Sequence, residues 1–492
     1  MNEQISRKDL VSALLLSFNV SFYDFQEVHG ATVTLYKFRP KIGVRVSKIR
    51  GLKDELAAAL HVPSVRIIAP MDDGSVGIEV PNKAREIIPV ASLFQSWDYE
   101  NTPMELPCAI GRTVTNEIFM ADLTEMPHLL VAGATGQGKS VGLNVIIMSL
   151  LKKKSPDELK LILIDPKQVE FSIYSSLENS YLAAPVITDA GEAISKLQTV
   201  CDIMDERYEL LSSIGVRNIK EYNASSIVER LPYIVVVIDE FADIMLTSRT
   251  NKALLEEYIC RIAQKARAVG IHVIISTQRP STEFVTGCVK ANFPARIAFR
   301  TTTSIDSRVI FGQSGAEKLT GRGDMLFFCG SETIRMQCAY ASMPDVRSLC
   351  EELNERYAEY SKASPLDHGT DGSSIELNEE EYLISQIPLN DKYFLTKVML
   401  IFLVREDRAS VASLGEKIND TLWQMYRFRY NFDSFSEIFK FLEYVGYLEG
   451  EEREVKRDWL GRRKTEFCDY DQVMFKVRIH DYAKALHKLE LE

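Results

Sequence analysis

The chain has 492 residues, enough for about three domains of ordinary size with several hydrophobic cores. Hydrophobic residues make up 46% and charged residues 26%, a balance that excludes disorder as the main state. With a formal net charge of −11, any nucleic acid must be met by locally basic loops, because the overall field repels it.

Residues 1–105 read as a small mixed α/β domain. The apolar stretch at 10–20 contains serines and falls short of the roughly twenty residues that cross a bilayer. No transmembrane segment or secretory signal is read there, and the cytoplasm is the expected compartment. Val33 and Leu35 alternate with polar residues as a half-buried strand does, while Leu52, Leu56 and Leu60 recur as one helix face does. Val65 and Ile67 lead through Asp73-Gly74 to Val76, Ile78 and Val80, a β-hairpin pattern with Asp-Gly in the turn. Eight cysteines (108, 201, 260, 288, 329, 338, 350, 468) show no metal-ligand or redox-pair spacing, so reduced core thiols are expected and no zinc site is.

Residues 106–355 change texture to short, continuously apolar runs at 128–132, 161–164, 234–238, 273–275 and 296–299, separated by helical stretches. Strands buried on both faces of a parallel sheet have this pattern, because covering helices remove the need for a polar side. Asp165, Asp239-Glu240, Thr277-Gln278 and Arg300 sit just past four of these runs, where ligands bind in open α/β sheets.

The run Gly133-Ala134-Thr135-Gly136-Gln137-Gly138-Lys139-Ser140 follows an apolar strand and precedes an apolar helical run, the context that confirms a phosphate loop. Its glycines let backbone amides wrap around phosphates at a helix N-terminus. Lys139 is expected to neutralise the β and γ phosphates of ATP, and the Ser140 hydroxyl to ligate Mg²⁺. Asp239, ending the run at 234–238, is expected to hold the Mg²⁺ water shell, and Glu240 to act as the base toward the attacking water. Gln278 is readable either as a γ-phosphate contact or as an ordinary strand cap and turn.

Residues 356–380 read as a linker, with Pro365, Asp367, Gly369, Asp371 and Gly372 in a nearly apolar-free segment. Residues 381–492 form an aromatic-rich tail with helices expected at 396–404, 411–418 and 435–444. Lys456-Arg457 and Arg462-Arg463-Lys464 flank Trp459 and Gly461, which suits a charged β-wing of a winged helix against DNA. The acids Glu451, Glu452 and Glu454 favour the other reading, a helical protein-docking domain with a solvated loop.

Taken together, the chain resembles the FtsK/SpoIIIE family of hexameric double-stranded DNA translocases. The stretches that carry the resemblance include Met126-Pro127-His128, Ile164-Asp165-Pro166-Lys167, Asp239-Glu240-Phe241-Ala242-Asp243, Gln264-Lys265-Ala266-Arg267, Thr277-Gln278-Arg279-Pro280 and Gly323-Asp324-Met325, in family order. It runs from about residue 20 to 345 and implies an α/β fold with a RecA-like P-loop NTPase core beside an N-terminal ring-forming domain; the mainly helical or winged-helix-like C-terminal domain is read from the tail's own residues. The resemblance also implies a homo-hexamer that hydrolyses ATP with Mg²⁺ to move along double-stranded DNA; a protein partner through the tail is an expectation from the tail's own residues. By this resemblance Arg267 is an arginine finger reaching the neighbouring subunit's nucleotide. Arg279 and Lys290 would face DNA in the channel, with Arg308 a weaker candidate, while Ser304 stands where the family has a lysine. The family's membrane segments and its usual short C-terminal module are not matched here, so a septal role is not implied. The alternatives carried forward are a coupling ATPase of a conjugative or mobile-element transfer system and a protein-secretion ATPase of related fold.

Overall fold

The computed structural model describes residues 6–360, apart from 72, 226–229, 248–251, 331 and 359; beyond that it describes 383–384, 387, 394–403, 408–426, 432–444, 448–450 and 475–477. The chain divides into two compact units, one of residues 1–201, 232–267 and 271–366, the other of 202–231, 268–270 and 367–492. Among the described residues no helix is long and apolar enough to cross a membrane. The early apolar stretch lies largely in a helix, Arg7–Ser17, that buries Val11 and Leu15.

Within the first unit, the strands β1 (Phe22–His29), β2 (Val33–Pro40), β3 (Arg66–Ile68) and β4 (Val76–Pro81) form an antiparallel sheet in the order β1-β2-β4-β3. The expected hairpin is β3–β4, its turn closed by Gly74 at φ +76°. Tyr36, Phe38, Ile49, Leu56, Val76, Ile78 and Val80 make the core of this sheet and its helices. Leu52, Leu56 and Leu60 are all buried, around the helix Lys53–Ala59. Strand β2 departs from the half-buried expectation: Thr34 and Tyr36 are also covered, and Thr34 satisfies its hydroxyl on Asn82 Oδ1 at 2.7 Å.

The second sheet has nine strands. They are β5 (Pro107–Thr113), β6 (Ile118–Asp122), β7 (His128–Ala132), β8 (Leu159–Ile164), β9 (Tyr233–Ile238), β10 (Ile271–Thr277), β11 (Ala295–Phe299), β12 (Asp324–Cys329) and β13 (Glu332–Cys338). Their order is β6-β5-β13-β12-β11-β7-β10-β9-β8, and the five expected runs are the parallel set β11-β7-β10-β9-β8. Every residue of β7, β8, β9 and β10 is buried, which is why these strands read as unbroken apolar runs. Strands β12, β13, β5 and β6 extend the sheet antiparallel on one side.

In the second unit, the helices Phe394–Leu403, Val411–Tyr426 and Phe432–Tyr444 accompany a three-stranded sheet of β14 (Arg408–Ala409), β16 (Phe475–Val477) and β15 (Leu448–Gly450), in that order. Val398, Ile418, Leu422, Phe435, Phe439 and Val477 are buried there. Of the expected linker at 356–380, Arg356 still belongs to the helix Met343–Arg356 and 361–380 lie outside the described residues, as do the basic clusters with Trp459 and Gly461.

One expectation is corrected. Cys260 and Cys288 are not free thiols but a disulfide, with their Cα atoms 6.3 Å apart. A spacing of 28 residues carries no hint of pairing; the packing of the helices Lys252–Lys265 and Gly287–Asn292 brings them together. Cys329 is exposed, whereas Cys108, Cys201, Cys338 and Cys350 are buried and outside any disulfide, and burial pushes Cys338 up to about 12. Cys468 lies outside the described residues.

His128 opens β7 in full burial, and its Nδ1 accepts the Val273 amide at 3.1 Å. Burial, and then the neighbouring His272, lower its pKa from 6.5 to about 3. The fold therefore holds the ring neutral while the unfolded chain takes up a proton below 6.5, so its contribution to stability is lost as pH falls from about 6.5 toward 3. Between pH 7 and 5 this amounts to about 2 kcal/mol. Urea melts at the two pH values should show His128→Gln losing about that much less stability than the parent; equal losses would remove the assignment.

Candidate active site

The phosphate loop is set by β7, which ends at Ala132, and by the helix Lys139–Lys153 that follows the turn. Gly136 and Gly138 take φ values of +73° and +112°, and a Cβ at Gly138 would lie 2.8 Å from the Gly323 amide nitrogen. Only glycine fits a left-handed position so close to another backbone. Gly138 caps the helix without any side-chain hydrogen bond, so no side chain competes for the first amides of the helix. Those donors, with the positive end of the helix dipole, make an anion site. Ala134 donates its amide to the Arg300 carbonyl (2.9 Å) and Gln137 to that of Ala134 (3.2 Å), which fixes the curvature of the loop.

Asp239 and Glu240 leave the end of β9, and β10 lies between β9 and β7. The intervening strand contributes Ser276. Lys139 Nζ donates to Asp239 Oδ1 at 2.6 Å and to Ser276 Oγ at 2.9 Å, and Ser276 Oγ donates to Asp239 Oδ1 at 2.9 Å. Glu240 Oε2 is 3.9 Å from the same ammonium, and Lys139, Asp239 and Glu240 are each at most 3% exposed. Glu240 adopts φ +52°, a conformation that a non-glycine residue keeps only when its surroundings hold it. Its carboxylate accepts from Thr277 Oγ1 at 2.8 Å and from the Gln278 amide at 3.0 and 3.1 Å. Gln278 Oε1 in turn accepts from Thr135 Oγ1 of the phosphate loop at 2.5 Å. The fold thus gathers Thr135, Lys139, Asp239, Glu240 and Gln278 at the carboxyl ends of adjacent parallel strands.

Two residues that contact this cluster, Lys167 and Ser276, had no role in the sequence reading. Lys167 pairs with Asp243 at 2.9 Å and lies 3.9 Å from Glu240. Burial pulls its ammonium down, but Asp243 and Glu240 outweigh that and raise it above the ordinary lysine value. The available signal was its place in Asp165-Pro166-Lys167, just past β8. Ser276 carried no signal, since a serine inside an apolar run reads as filler. Asp165 is absorbed by its own loop: its carboxylate accepts the amides of Lys167, Gln168, Glu170 and Phe171 at 2.9 to 3.1 Å.

The oxygen donors Ser140, Asp239 and Glu240 suit a hard divalent cation such as Mg²⁺, which is held through one or two protein ligands together with substrate phosphates. Ser140 stands half-buried beside Lys139 at the start of the helix.

The remaining sequence-predicted residues lie apart. Arg267 is exposed, donating to the Thr124 carbonyl at 3.1 Å and to Glu125 at 3.2 Å. Thr124 and Glu125 precede β7, whereas the phosphate loop follows it, so Arg267 sits at the opposite ends of the parallel strands from the cluster. Arg279 is exposed just after β10, Lys290 is half-buried in the helix Gly287–Asn292, and Arg308 is exposed in the helix Ser304–Phe311 with its Nη2 3.5 Å from Ser304 Oγ.

Comparison with known proteins accounts for this arrangement. Residues 90–282 match the FtsK/SpoIIIE family and residues 1–82 match the FtsK alpha domain. The chain belongs to the FtsK/SpoIIIE family. It is 42% identical over 376 residues to the DNA translocase FtsK of Caldanaerobacter subterraneus subsp. tengcongensis, an alignment covering 76% of this chain and 52% of that protein. With the DNA translocase FtsK of Helicobacter pylori J99 it shares 38% over 448 residues, 90% of this chain and 50% of the other. The chain therefore spans about half the length of these curated relatives. Among solved structures, the conjugation coupling protein TcpA of pCW3, a monomer form with ATPγS, superposes with a TM-score of 0.51 at 25% identity, covering 70% of this chain and 98% of that one.

Within this family fold the buried cation carries structural weight as well. Lys139→Met leaves the buried Asp239 without its cation and Glu240 with Lys167 at 3.9 Å, and breaking a buried pair such as Lys139–Asp239 costs about 3–5 kcal/mol. The variant should lose nucleotide binding and melt at lower temperature even without nucleotide, as calorimetry with and without ATP will read. An unchanged melting temperature would show that the acids do not depend on Lys139.

Proposed function

We propose that the chain is a Mg²⁺-dependent ATPase that assembles as a homo-hexameric ring and drives double-stranded DNA through its centre. The observation that carries this reading is the cluster of Lys139, Asp239 and Glu240 beside an uncapped phosphate loop, in a chain 38–42% identical to DNA translocases. Lys139 and the loop amides would bind and orient the β and γ phosphates of ATP. Ser140 and Asp239 would hold Mg²⁺, which supplies charge neutralisation on the phosphates. Glu240, fixed by Thr277 and the Gln278 amide, would orient the attacking water and take its proton, while Gln278 reports on the phosphate loop through Thr135. Such a reaction needs positioning and electrostatic stabilisation more than covalent chemistry.

The place of Arg267 supports the ring. A strand of five residues separates it from its own phosphate loop, about 16 Å at 3.3 Å per residue. An arginine finger at that edge serves the nucleotide of a neighbouring subunit. In this reading residues 1–105 form the ring, 106–355 the motor, 356–380 a linker and 381–492 a domain that docks a partner or orients the motor. Arg279 and Lys290, with Arg308, would contact DNA phosphates without reading bases. The likeness to TcpA favours one second reading, a coupling ATPase of a conjugative transfer system with the same motor chemistry and different partners.

The test is steady-state ATP hydrolysis with and without duplex DNA, run beside a native mass measurement. Stimulation of roughly tenfold or more, with hexamers forming on DNA, is the expected result. Turnover indifferent to duplex DNA would sink the translocase reading and favour a polypeptide substrate.

A further inference from the structure

Residues 320–324 run as a strap along the phosphate loop. The Gly323 amide donates to the Gln137 carbonyl at 2.9 Å, and a side chain at Gly321 would collide with Gln137. Gly321, Arg322 and Gly323 have φ values of +79°, +54° and +91°, three left-handed residues in succession. An arginine keeps that conformation only under external restraint.

The restraints converge from the N-terminal hundred residues and from β13. Arg85 donates from Nη1 to the Gly321 carbonyl at 2.8 Å and from Nη2 to that of Thr320 at 2.6 Å. Asp324 accepts the Thr320 amide and hydroxyl at 2.7 Å each, and is gripped by Arg335 through Nε at 2.9 Å and Nη2 at 2.7 Å. The third contact of Arg335 goes to Glu79 Oε2 at 2.8 Å, and Glu79 Oε1 accepts from Arg66 at 3.1 Å. Gln337 donates to the Arg322 carbonyl at 3.0 Å and accepts from Thr32. Glu79, Asp324 and Arg335 are buried; burial lowers Arg335, but Asp324 and Glu79 outweigh it and keep the guanidinium charged.

We propose that Arg85 is a positioning residue for the nucleotide, holding the strap 320–324 and through it the Gln137 carbonyl that shapes the phosphate loop. The proposal rests on the ATPase reading above. Convergent amides bind phosphate tightly only if they are ordered beforehand; a loosened strap moves that ordering into the binding step and lowers affinity. Lys139, Asp239 and Glu240 do not touch Arg85, so the chemical step is left alone.

Arg85→Ala should raise the Kd for a slowly hydrolysed ATP analogue with Mg²⁺, and the KM for ATP, about five- to tenfold, with kcat at saturating ATP near that of the parent. Arg85→Lys keeps the charge but has one ammonium for two carbonyls, and should fall between the two; it also carries the test if the alanine variant does not fold. Lys83→Ala, an exposed neighbour, should behave as the parent. Unchanged Kd in a folded Arg85 variant, or a fall in kcat at constant KM, overturns the proposal. Failure of the parent chain to bind the analogue would instead sink the ATPase reading, and this inference with it.

Discussion

Glu240→Gln should leave ATP bound and stop its turnover. The carboxylate is placed by three hydrogen bonds, one from Thr277 Oγ1 and two from the Gln278 amide. Glutamine is isosteric, and its single carbonyl oxygen occupies the position of Oε1, which accepts from both partners at 2.8 and 3.1 Å. The fold and the phosphate loop therefore survive the change. The amide that replaces Oε2 neither attracts a proton nor polarises water, so kcat should fall by about 10²- to 10⁴-fold. Phosphate release measured beside equilibrium ATP binding separates the two effects. Hydrolysis within a few-fold of the parent would assign the base elsewhere, and Lys167 and Asp243 would be the groups to examine first.

In the role proposed for it, Arg267→Ala should be comparably severe, with kcat lower by about 10³-fold or more, because an arginine finger adds transition-state charge stabilisation to that of Lys139 and the loop amides. The side chain is exposed, and among the described residues its hydrogen bonds go to Glu125 and the Thr124 carbonyl, so removing it should leave the melting temperature close to that of the parent. Mixing separates action between subunits from action within one. Rings containing both Arg267→Ala and Glu240→Gln chains should recover part of the activity, because some interfaces then pair an intact Glu240 with an intact Arg267. No recovery at any ratio, with mixed rings demonstrated by mass, would place the arginine's action within its own chain.

Much of this site was legible in the residues themselves. Strands covered on both faces must be apolar throughout, so β7 to β11 announced themselves as unbroken runs, and the polar residues just past them marked the ligand side. The glycines and Lys139 of the phosphate loop form a local sequence pattern, and the acids are marked by their place just past β9, although the partners they meet in space lie far along the chain. Strands β6 and β13 were not read, because their faces are mixed, and β5 and β12 went unread although each carries a short buried apolar run. Strand β13 contains Arg335 among apolar residues, a pattern that suggests surface until Glu79 and Asp324 supply the partners that make its burial tolerable.

Length, composition and local pattern therefore determined the α/β class, the phosphate loop and the acidic pair, since each depends on contacts within a few residues or on the period of one element. Tertiary structure alone decided that β10 passes between β7 and β9, so that Ser276 joins Lys139 and Asp239 across 100 residues of chain. It also decided that Cys260 meets Cys288, that Arg267 faces away from its own phosphate loop, and that Arg85 reaches the strap behind Gln137. The reason is physical: strand order and helix packing are set by how whole faces bury one another, and no short window of sequence encodes which faces meet.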